Sequence, residues 1–319
     1  MGLDHPVVSS LLPVVLLIAV GWLAGRARLM GKESVRELGQ VVFLVLSSAL
    51  LFRTMSTVDV LHLDLRPILI YFAVAIVLFF VLQRLYGGGP RASVLGLAGM
   101  YSNVVMIGVP LVGLAYGQQG LVLLFTFISL HALVLLSMVT VVLELQEARL
   151  HAERSGEPAH LGRTLAAAIK SALLHPVPVP ILLGLAWGLT GWSLPGVIDL
   201  PLKLLGQAFG PVALLMVGLN LAQTDLGQHW RRGLGLALIK NVLHPALMLA
   251  LSWWLGLRGM ALVVMVTAAA LPIGANVFMF SQRYRQCEDE VTAGVAVSTV
   301  GAMFSVSVLM LLWPWLSAA

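Results

Sequence analysis

Charged side chains are scarce in this sequence. Of its 319 residues only 10% are Asp, Glu, Lys or Arg, whereas 59% are hydrophobic, and the mean hydropathy is +0.97. An ordinary soluble domain carries about 25% charged residues, so a water-soluble fold is excluded. Cysteine is almost absent as well, because Cys287 is the only one, and this excludes a disulfide framework.

Long apolar runs account for the high hydropathy. A helix needs roughly 20 apolar residues to cross a hydrocarbon core about 30 Å thick, and runs of this length recur along the whole chain. The sequence therefore predicts an all-α protein with ten transmembrane helices in the lipid bilayer. The predicted spans are 7–25, 36–56, 67–86, 92–116, 119–143, 168–190, 200–222, 233–256, 259–284 and 291–316.

The basic residues are distributed unevenly over the loops between these spans. If both termini lie outside, fourteen Lys and Arg face the cytoplasm and only four, namely Arg53, Arg66, Lys203 and Arg258, face the outside. Such a bias follows the positive-inside rule and predicts a multi-pass protein of the plasma (bacterial inner) membrane with both termini outside. It also explains the pI of 9.7, so we expect no nucleic-acid partner.

A hydrophilic segment divides the predicted spans into two groups of five. We predict a first five-helix repeat in 1–145, a cytoplasmic linker in 146–166 and a second repeat in 167–319. Because five is odd, the second group must enter the membrane upside down relative to the first. Inverted repeats of this kind are typical of secondary transporters.

Short sequence matches support an internal repeat. Asn103–Met106 in span 4 corresponds to Asn276–Met279 in span 9, and the same offset of 173 residues aligns Thr126 with Thr299. The equivalent spans of the two halves thus carry the same polar residues. We predict that these residues belong to one site.

Carboxylates are missing from the middle of the predicted spans. All fourteen Asp and Glu fall in loops or at span ends. This argues against a cation antiporter built on a buried aspartate pair and against any site that neutralises a cationic substrate. The deep ionisable residues are His131, Lys240 and His244, and this basic interior favours an anionic substrate.

Lys240 allows two interpretations. A buried ammonium costs about 2.5–3.5 kcal/mol on insertion scales, and the side chain either reaches back to the cytoplasmic surface or faces the protein interior. In the interior it would supply positive charge to an anion or change its protonation during transport. His131 is either a hydrogen-bonded packing residue or part of the site.

Prolines and glycines interrupt spans 4 and 9. A proline removes an intrahelical hydrogen bond, and the freed carbonyl must then line protein or a water-filled cavity. One such proline indicates only a kink, but two at equivalent places predict two broken helices that cross. The N-terminal ends of the broken helices and the Asn side chains would then be directed at an anion. The predicted substrate-binding residues are Ser102, Asn103, His131, Lys240, Pro272, Asn276 and Thr299, and the predicted helix breaks are at Pro110, Pro272 and Gly274.

The same residues resemble a known family. Asn103–Pro110, an Asn followed by a Gly-hydrophobic-Pro ending, resembles the fourth-span motif of the auxin efflux carriers. Pro272–Tyr284 is similar to the ninth-span pattern of that family, with an Asn four residues after the Pro and a Tyr that closes the helix. Lys240 and Pro245 resemble the eighth-span pattern of its bacterial members.

This resemblance implies an architecture and a mechanism. It implies a homodimer in which spans 1, 2, 6 and 7 form the scaffold and the dimer contact, while spans 3–5 and 8–10 form a mobile transport domain of the elevator type. Plant members have prolines at the crossover, where this chain has Ser102 and Val277, and this departure argues against auxin itself. Bacterial relatives are generally assigned to small carboxylates such as malonate or malate.

We therefore expect a secondary transporter of small organic anions, with proton or sodium coupling and without a cofactor or a bound metal. The candidates are mono- or dicarboxylates and auxin-like acids. No GxxxxGK[ST] segment indicates ATP hydrolysis, and no GxSxG or HExxH motif indicates an enzyme. Two alternatives stay open: a sodium-coupled symporter of the bile-acid type, with sodium on amide, hydroxyl and backbone oxygens, and a membrane sensor or channel.

Overall fold

The computed structural model describes residues 6–57, 64–155, 178–224 and 227–318. Within these ranges the regular secondary structure is helical, apart from one isolated β-bridge. Six of the described helical segments are long and apolar enough to cross a membrane, and three shorter ones are also apolar. The prediction of an all-α membrane protein is confirmed. The helices are α1 (Pro6–Arg26), α2 (Lys32–Met55), α3 (Arg66–Leu85), α4 (Gly89–Met100), α5 (Val109–Ser155), α6 (Pro178–Leu189), α7 (Gly196–Gln223), α8 (Trp230–Trp254), α9 (Gly259–Ala270), α10 (Asn276–Arg283) and α11 (Glu288–Ala318).

Three helices contain or follow a π-helical turn. These turns are Val42–Leu46 in α2, Val104–Gly108 directly before α5, and Ile239–Leu243 in α8. A π turn inserts an extra residue into a helical turn and often marks a functional position. The turns before α5 and in α8 lie next to the candidate site described below.

Two predicted spans correspond to interrupted helices. Span 4 comprises α4 and the start of α5 as far as Gly117, and span 9 comprises α9 and α10. Gly117 breaks α5 with φ 59° and ψ −153°, a backbone conformation that side-chain-bearing residues avoid. Residues 146–155 of the predicted linker continue α5, whereas 156–166 of the linker and 168–177 of span 6 lie outside the described residues.

Helices α1 and α7 pack closely because glycines replace side chains at their contact. A Cβ atom at Gly218 would lie 2.0 Å from the backbone oxygen of Ile18, and one at Gly21 would lie 2.0 Å from that of Leu215. Small residues are what allow membrane helices to approach to backbone contact. The two helices therefore form a closely packed pair.

The remaining contacts divide the helices into two sets. The first set consists of α1, α2, α6 and α7, in which α2 packs on both α6 and α7. The second set consists of α3, α4, α5 and α8–α11, in which α8 contacts α3, α9 and α11, while α4 contacts α3 and α5. The sets meet mainly where α1 and α7 contact α5 and its preceding π turn.

Ion pairs lie at the helix ends. Arg91 of α4 donates to both carboxylate oxygens of Glu290 at 2.7 and 3.0 Å, and Arg232 of α8 also pairs with Glu290. Arg53 of α2 makes a two-bond contact with Asp199 of α7, at 2.7 and 3.1 Å. Each pair joins residues that the loop assignment places on the same side of the membrane.

Candidate substrate site at two interrupted helices

Two helices of the second set stop inside the protein. Helix α4 ends at Met100 and α9 ends at Ala270, and after a short extended segment the chain resumes helical structure at Val104 and at Asn276, respectively. The two extended segments lie side by side. Their contacts are an antiparallel Ser102–Ile273 bridge and two hydrogen bonds, from the N–H of Asn103 to the carbonyl of Pro272 at 2.9 Å and from the N–H of Gly274 to the carbonyl of Tyr101 at 3.0 Å.

This pairing satisfies backbone groups that the breaks expose. An unpaired N–H or carbonyl at membrane depth costs several kcal/mol, and each segment supplies the other with its missing partners. A third partner comes from α11, where the Ser298 hydroxyl accepts from the N–H of Ile273 at 3.0 Å. The close approach also requires Gly274, because a Cβ there would lie 2.6 Å from the Tyr101 ring.

A cavity lies beside the paired segments. It leaves about 40 Å³ for the centres of water-sized molecules, enough for a few waters or one carboxylate group. Among the described residues that line it, none is an Asp, Glu, Lys or Arg, and the only ionisable side chains are those of His131 and Tyr101. The lining residues are Phe43 of α2, Tyr101–Val105, Ile128, His131 and Ala132 of α5, and Gly274–Asn276.

Five of the predicted site residues line this cavity. They are Ser102, Asn103, His131, Gly274 and Asn276. They come from the two breaks and from α5. In the sequence the outermost of them, Ser102 and Asn276, are 174 positions apart. The fold therefore brings together residues that the sequence links only through its internal repeat.

The other predicted residues occupy different places. Pro272 pairs with Asn103 through its carbonyl, and Pro110 lies in the first turn of α5. The hydroxyl of Thr299 donates to Val295 within α11 at 2.7 Å, and its side chain lines a separate apolar cavity against α1. Lys240 is likewise not among the residues that line the cavity between the breaks.

The two asparagines sit at the starts of the resumed helical segments. Asn103 Oδ1 accepts a hydrogen bond from the N–H of Met106 at 3.3 Å, so this oxygen caps the π turn before α5. Its NH₂ group is then the part that remains to donate to a ligand. Asn276 is the first residue of α10, and its Nδ2 donates to the Tyr101 hydroxyl at 3.3 Å.

A buried aromatic cluster supports the site from α3. The hydroxyl groups of Tyr71 and Ser102 are 2.9 Å apart, and the Tyr71 ring contacts those of Phe127, His131 and His244, with centroids 4.4, 6.1 and 5.4 Å away. His131 Nε2 is buried and has no hydrogen-bond partner among the described residues. Tyr71 is not among the predicted site residues, although a hydroxyl within an apolar span must find a partner, and this is a signal that the sequence contains.

Lys240 and its neighbour Asn241 lie at the end of α9. The Lys240 side chain is fully buried, and its Nζ donates to the carbonyls of Ala269 and, at 2.8 Å, of Leu271. Asn241 Nδ2 donates to the carbonyl between them, that of Ala270, at 2.9 Å. The amino group thus stays in the interior, at the negative end of the α9 dipole, and does not reach the cytoplasmic surface.

Known proteins that are similar in sequence to this chain are membrane transporters. Residues 6–310 match the family described as membrane transport protein. Auxin efflux carrier component 8 of Arabidopsis thaliana is 24% identical in an alignment 340 positions long, gaps included. This alignment covers 91% of this chain and 93% of the relative. A putative malonate transporter of Rhizobium meliloti (strain 1021) is 25% identical over 319 residues, covering 96% and 95%. A shorter match is to auxin efflux carrier component 1 of Arabidopsis thaliana, which is 30% identical over 132 residues. This match covers 40% of this chain and 21% of the relative. With the family match running along nearly the whole chain, this protein belongs to the membrane transport proteins of the auxin efflux carrier family.

Proposed function

We propose that this protein is a secondary transporter of small organic anions and that it binds a carboxylate group in the cavity between the interrupted helices. The observation that carries the proposal is the composition of this cavity, which has two asparagines, a serine and a histidine but no acidic residue. An anion gives up its hydration only for donors or positive charge. The names of the relatives point the same way, because auxin and malonate are both carboxylates.

Each polar residue has a defined part in the proposed complex. The NH₂ groups of Asn103 and Asn276 donate to the carboxylate, and charge-assisted hydrogen bonds of this kind are about twice as strong as neutral ones. The first backbone N–H groups of α10 add the positive end of a helix dipole. His131 Nε2 and the Ser102 hydroxyl complete the polar wall.

The proposed transport mechanism is of the elevator type, with ten spans in two inverted repeats. The two helix sets support it, since the first set contains the closely packed α1–α7 pair and the second holds both interrupted helices. The cavity also lies at the boundary of the sets, because Phe43 of the first set lines it together with residues of the second. Displacement of the second set would then expose the same cavity to either side. The predicted homodimer would be formed through the first set.

The proposal is tested by binding and uptake with the purified protein. We expect at least one member of a panel of acetate, malonate, malate and an auxin to bind in detergent and to enter proteoliposomes. Asn103→Ala and Asn276→Ala should each weaken its binding about ten- to a hundredfold, since a lost contact to a charged ligand costs roughly 1–3 kcal/mol. Asn→Leu at either position should be worse, because it also fills the cavity.

A matched control is available on α7. Asn220 is exposed and lies away from the cavity, so Asn220→Ala should bind and transport like the parent protein. The proposal would be wrong if no carboxylate of the panel binds, or if Asn220→Ala loses affinity as strongly as the two cavity variants.

A further inference from the structure

Three consecutive carbonyl groups converge at the end of α9. Those of Ala269 and Leu271 accept from Lys240 Nζ, and that of Ala270 accepts from Asn241 Nδ2 and, at 3.4 Å, from the Ser305 hydroxyl. All three carbonyl-bearing residues are fully buried. Without these donors the end of the helix would present bare oxygens at the depth of the break, which the protein interior does not tolerate.

Such a carbonyl group cluster has the chemistry of a cation site. In secondary transporters with broken helices, unwound carbonyls and the C-terminal ends of half-helices coordinate the coupling sodium ion. Oxygen ligands and the negative end of the helix dipole both favour a small cation here. In this protein the position is filled by the protein's own amino group.

Two of the side-chain donors, Lys240 and Asn241, lie within the π turn of α8. Lys240 and Asn241 are neighbours in sequence, and in a regular α-helix their side chains would diverge by about 100°. Within the Ile239–Leu243 turn both side chains reach the end of the same helix, α9. Two neighbouring residues of one π turn thus donate to three consecutive carbonyl groups.

We propose that Lys240 is a tethered cation, whose ammonium group occupies the carbonyl site at the end of α9 and makes anion transport independent of sodium. This rests on the transport function proposed above and adds to it the nature of the coupling. Lys240 is a positioning residue in this proposal, since it acts on the substrate through the interrupted helix. Its charge also travels with the second set and offsets that of the anion.

The test combines removal of the cation with its replacement from solution. Lys240→Ala deletes a propylammonium group, so propylammonium chloride is the matching probe, with sodium chloride as the inorganic one and choline chloride as the inert salt. We expect the parent protein to transport equally in all three salts. Lys240→Ala should transport at least tenfold more slowly in choline and recover severalfold in propylammonium or sodium.

A second readout does not depend on transport. The melting temperature of purified Lys240→Ala should rise by about 3 °C in propylammonium or sodium relative to choline, as expected for a ligand bound by the folded state. The parent protein and Lys203→Ala, which alters an exposed lysine at the start of α7, should show no such difference. If Lys240→Ala does not fold, Lys240→Met replaces it in sodium and choline only, because the methionine side chain fills the space that propylammonium would need.

Three results would overturn the proposal. They are sodium-dependent uptake by the parent protein, full activity of Lys240→Ala in choline, and a Lys240→Ala protein that no cation rescues in either measurement. Failure of the transport function itself is distinguishable from these results. In that case no carboxylate enters proteoliposomes with any salt, while the melting temperatures still decide whether the carbonyl site binds a cation.

Discussion

Single hydroxyl groups determine much of the geometry at the candidate site. Tyr71 is fully buried on α3, and its hydroxyl has one partner among the described residues, the Ser102 hydroxyl in the interrupted segment. A buried hydrogen bond contributes about 0.5–1.5 kcal/mol, and the group left behind loses its partner as well. Tyr71 therefore couples a continuous helix to the break.

We expect Tyr71→Phe to lower the melting temperature of the protein and to weaken carboxylate binding, because Ser102 is then free to turn away from the cavity. The loss of stability should be about 1 kcal/mol. Tyr86→Phe provides the matched control, since Tyr86 is 36% exposed at the end of α3. Equal effects of the two substitutions, measured by thermal unfolding and equilibrium binding, would refute a specific role for the Tyr71 hydroxyl.

At the residue scale the sequence allowed some predictions and not others. Asn103 and Asn276 followed from a repeated pattern, and a repeat can be read without coordinates. The hydrogen-bond partners of Lys240 could not be predicted from the sequence. The carbonyl groups that its amino group contacts are determined by the π turn in α8 and by the residue at which α9 ends. Thr299 was selected by its alignment with Thr126, but alignment says nothing about the direction of a side chain on a helix.

At the scale of helices, proline and glycine were the informative residues. The interruption after α9 is expected from Pro272 and Gly274, and the chain leaves helical geometry at these residues. The prediction of a break at Pro110 is wrong in position, because the chain leaves helical geometry at residues 101–103 and Pro110 lies in the first turn of α5. The break at Gly117 and the three π turns were not expected. A glycine in a helix has many uses, and a π turn arises from packing that a single sequence does not display.

The α1–α7 contact gives a prediction at the same scale. Gly218→Ala would place a Cβ 2.0 Å from the Ile18 carbonyl oxygen, so the helices must separate, at a cost of about 1–3 kcal/mol or more. Gly235→Ala on α8 is the control, because nothing lies within 4 Å of its added Cβ and alanine is the better helix former. Thermal unfolding should show a clear loss for Gly218→Ala and none for Gly235→Ala; similar values would contradict the close packing.

For the whole molecule, the orientation in the membrane is the main open prediction. The positive-inside bias places Ser155, at the end of α5, in the cytoplasm and Ser193, in the exposed loop between α6 and α7, outside. In a Cys287→Ala background, Ser193→Cys should react with an impermeant maleimide added to intact cells. Ser155→Cys should react only after the membrane is permeabilised, and the reverse pattern would invert the topology.

The native cysteine should interfere little with this experiment. Cys287 lies between α10 and α11, and burial raises the pKa of its thiol to about 12, with a smaller contribution from Glu290 in the same direction. Only the thiolate is the nucleophile, and a raised pKa leaves almost none of it at neutral pH. Labelling of the parent protein should therefore be slow at pH 7 and increase as the pH rises.

The distribution of ion pairs bears on how the two helix sets move. Among the described residues every ion pair between an arginine and a carboxylate belongs to one set or the other: Arg36–Glu33 and Arg53–Asp199 lie in the first, while Arg91–Glu290, Arg232–Glu290 and Arg283–Glu144 lie in the second. In the proposed elevator motion, sliding one set along the other opens none of these pairs. The barrier to sliding would then come from the repacking of apolar side chains and not from broken ion pairs, so that screening of charges by dissolved salt would have little influence on it. If the protein cycles in this way, we expect the rate of cycling to depend little on the ionic strength of the two compartments that it connects.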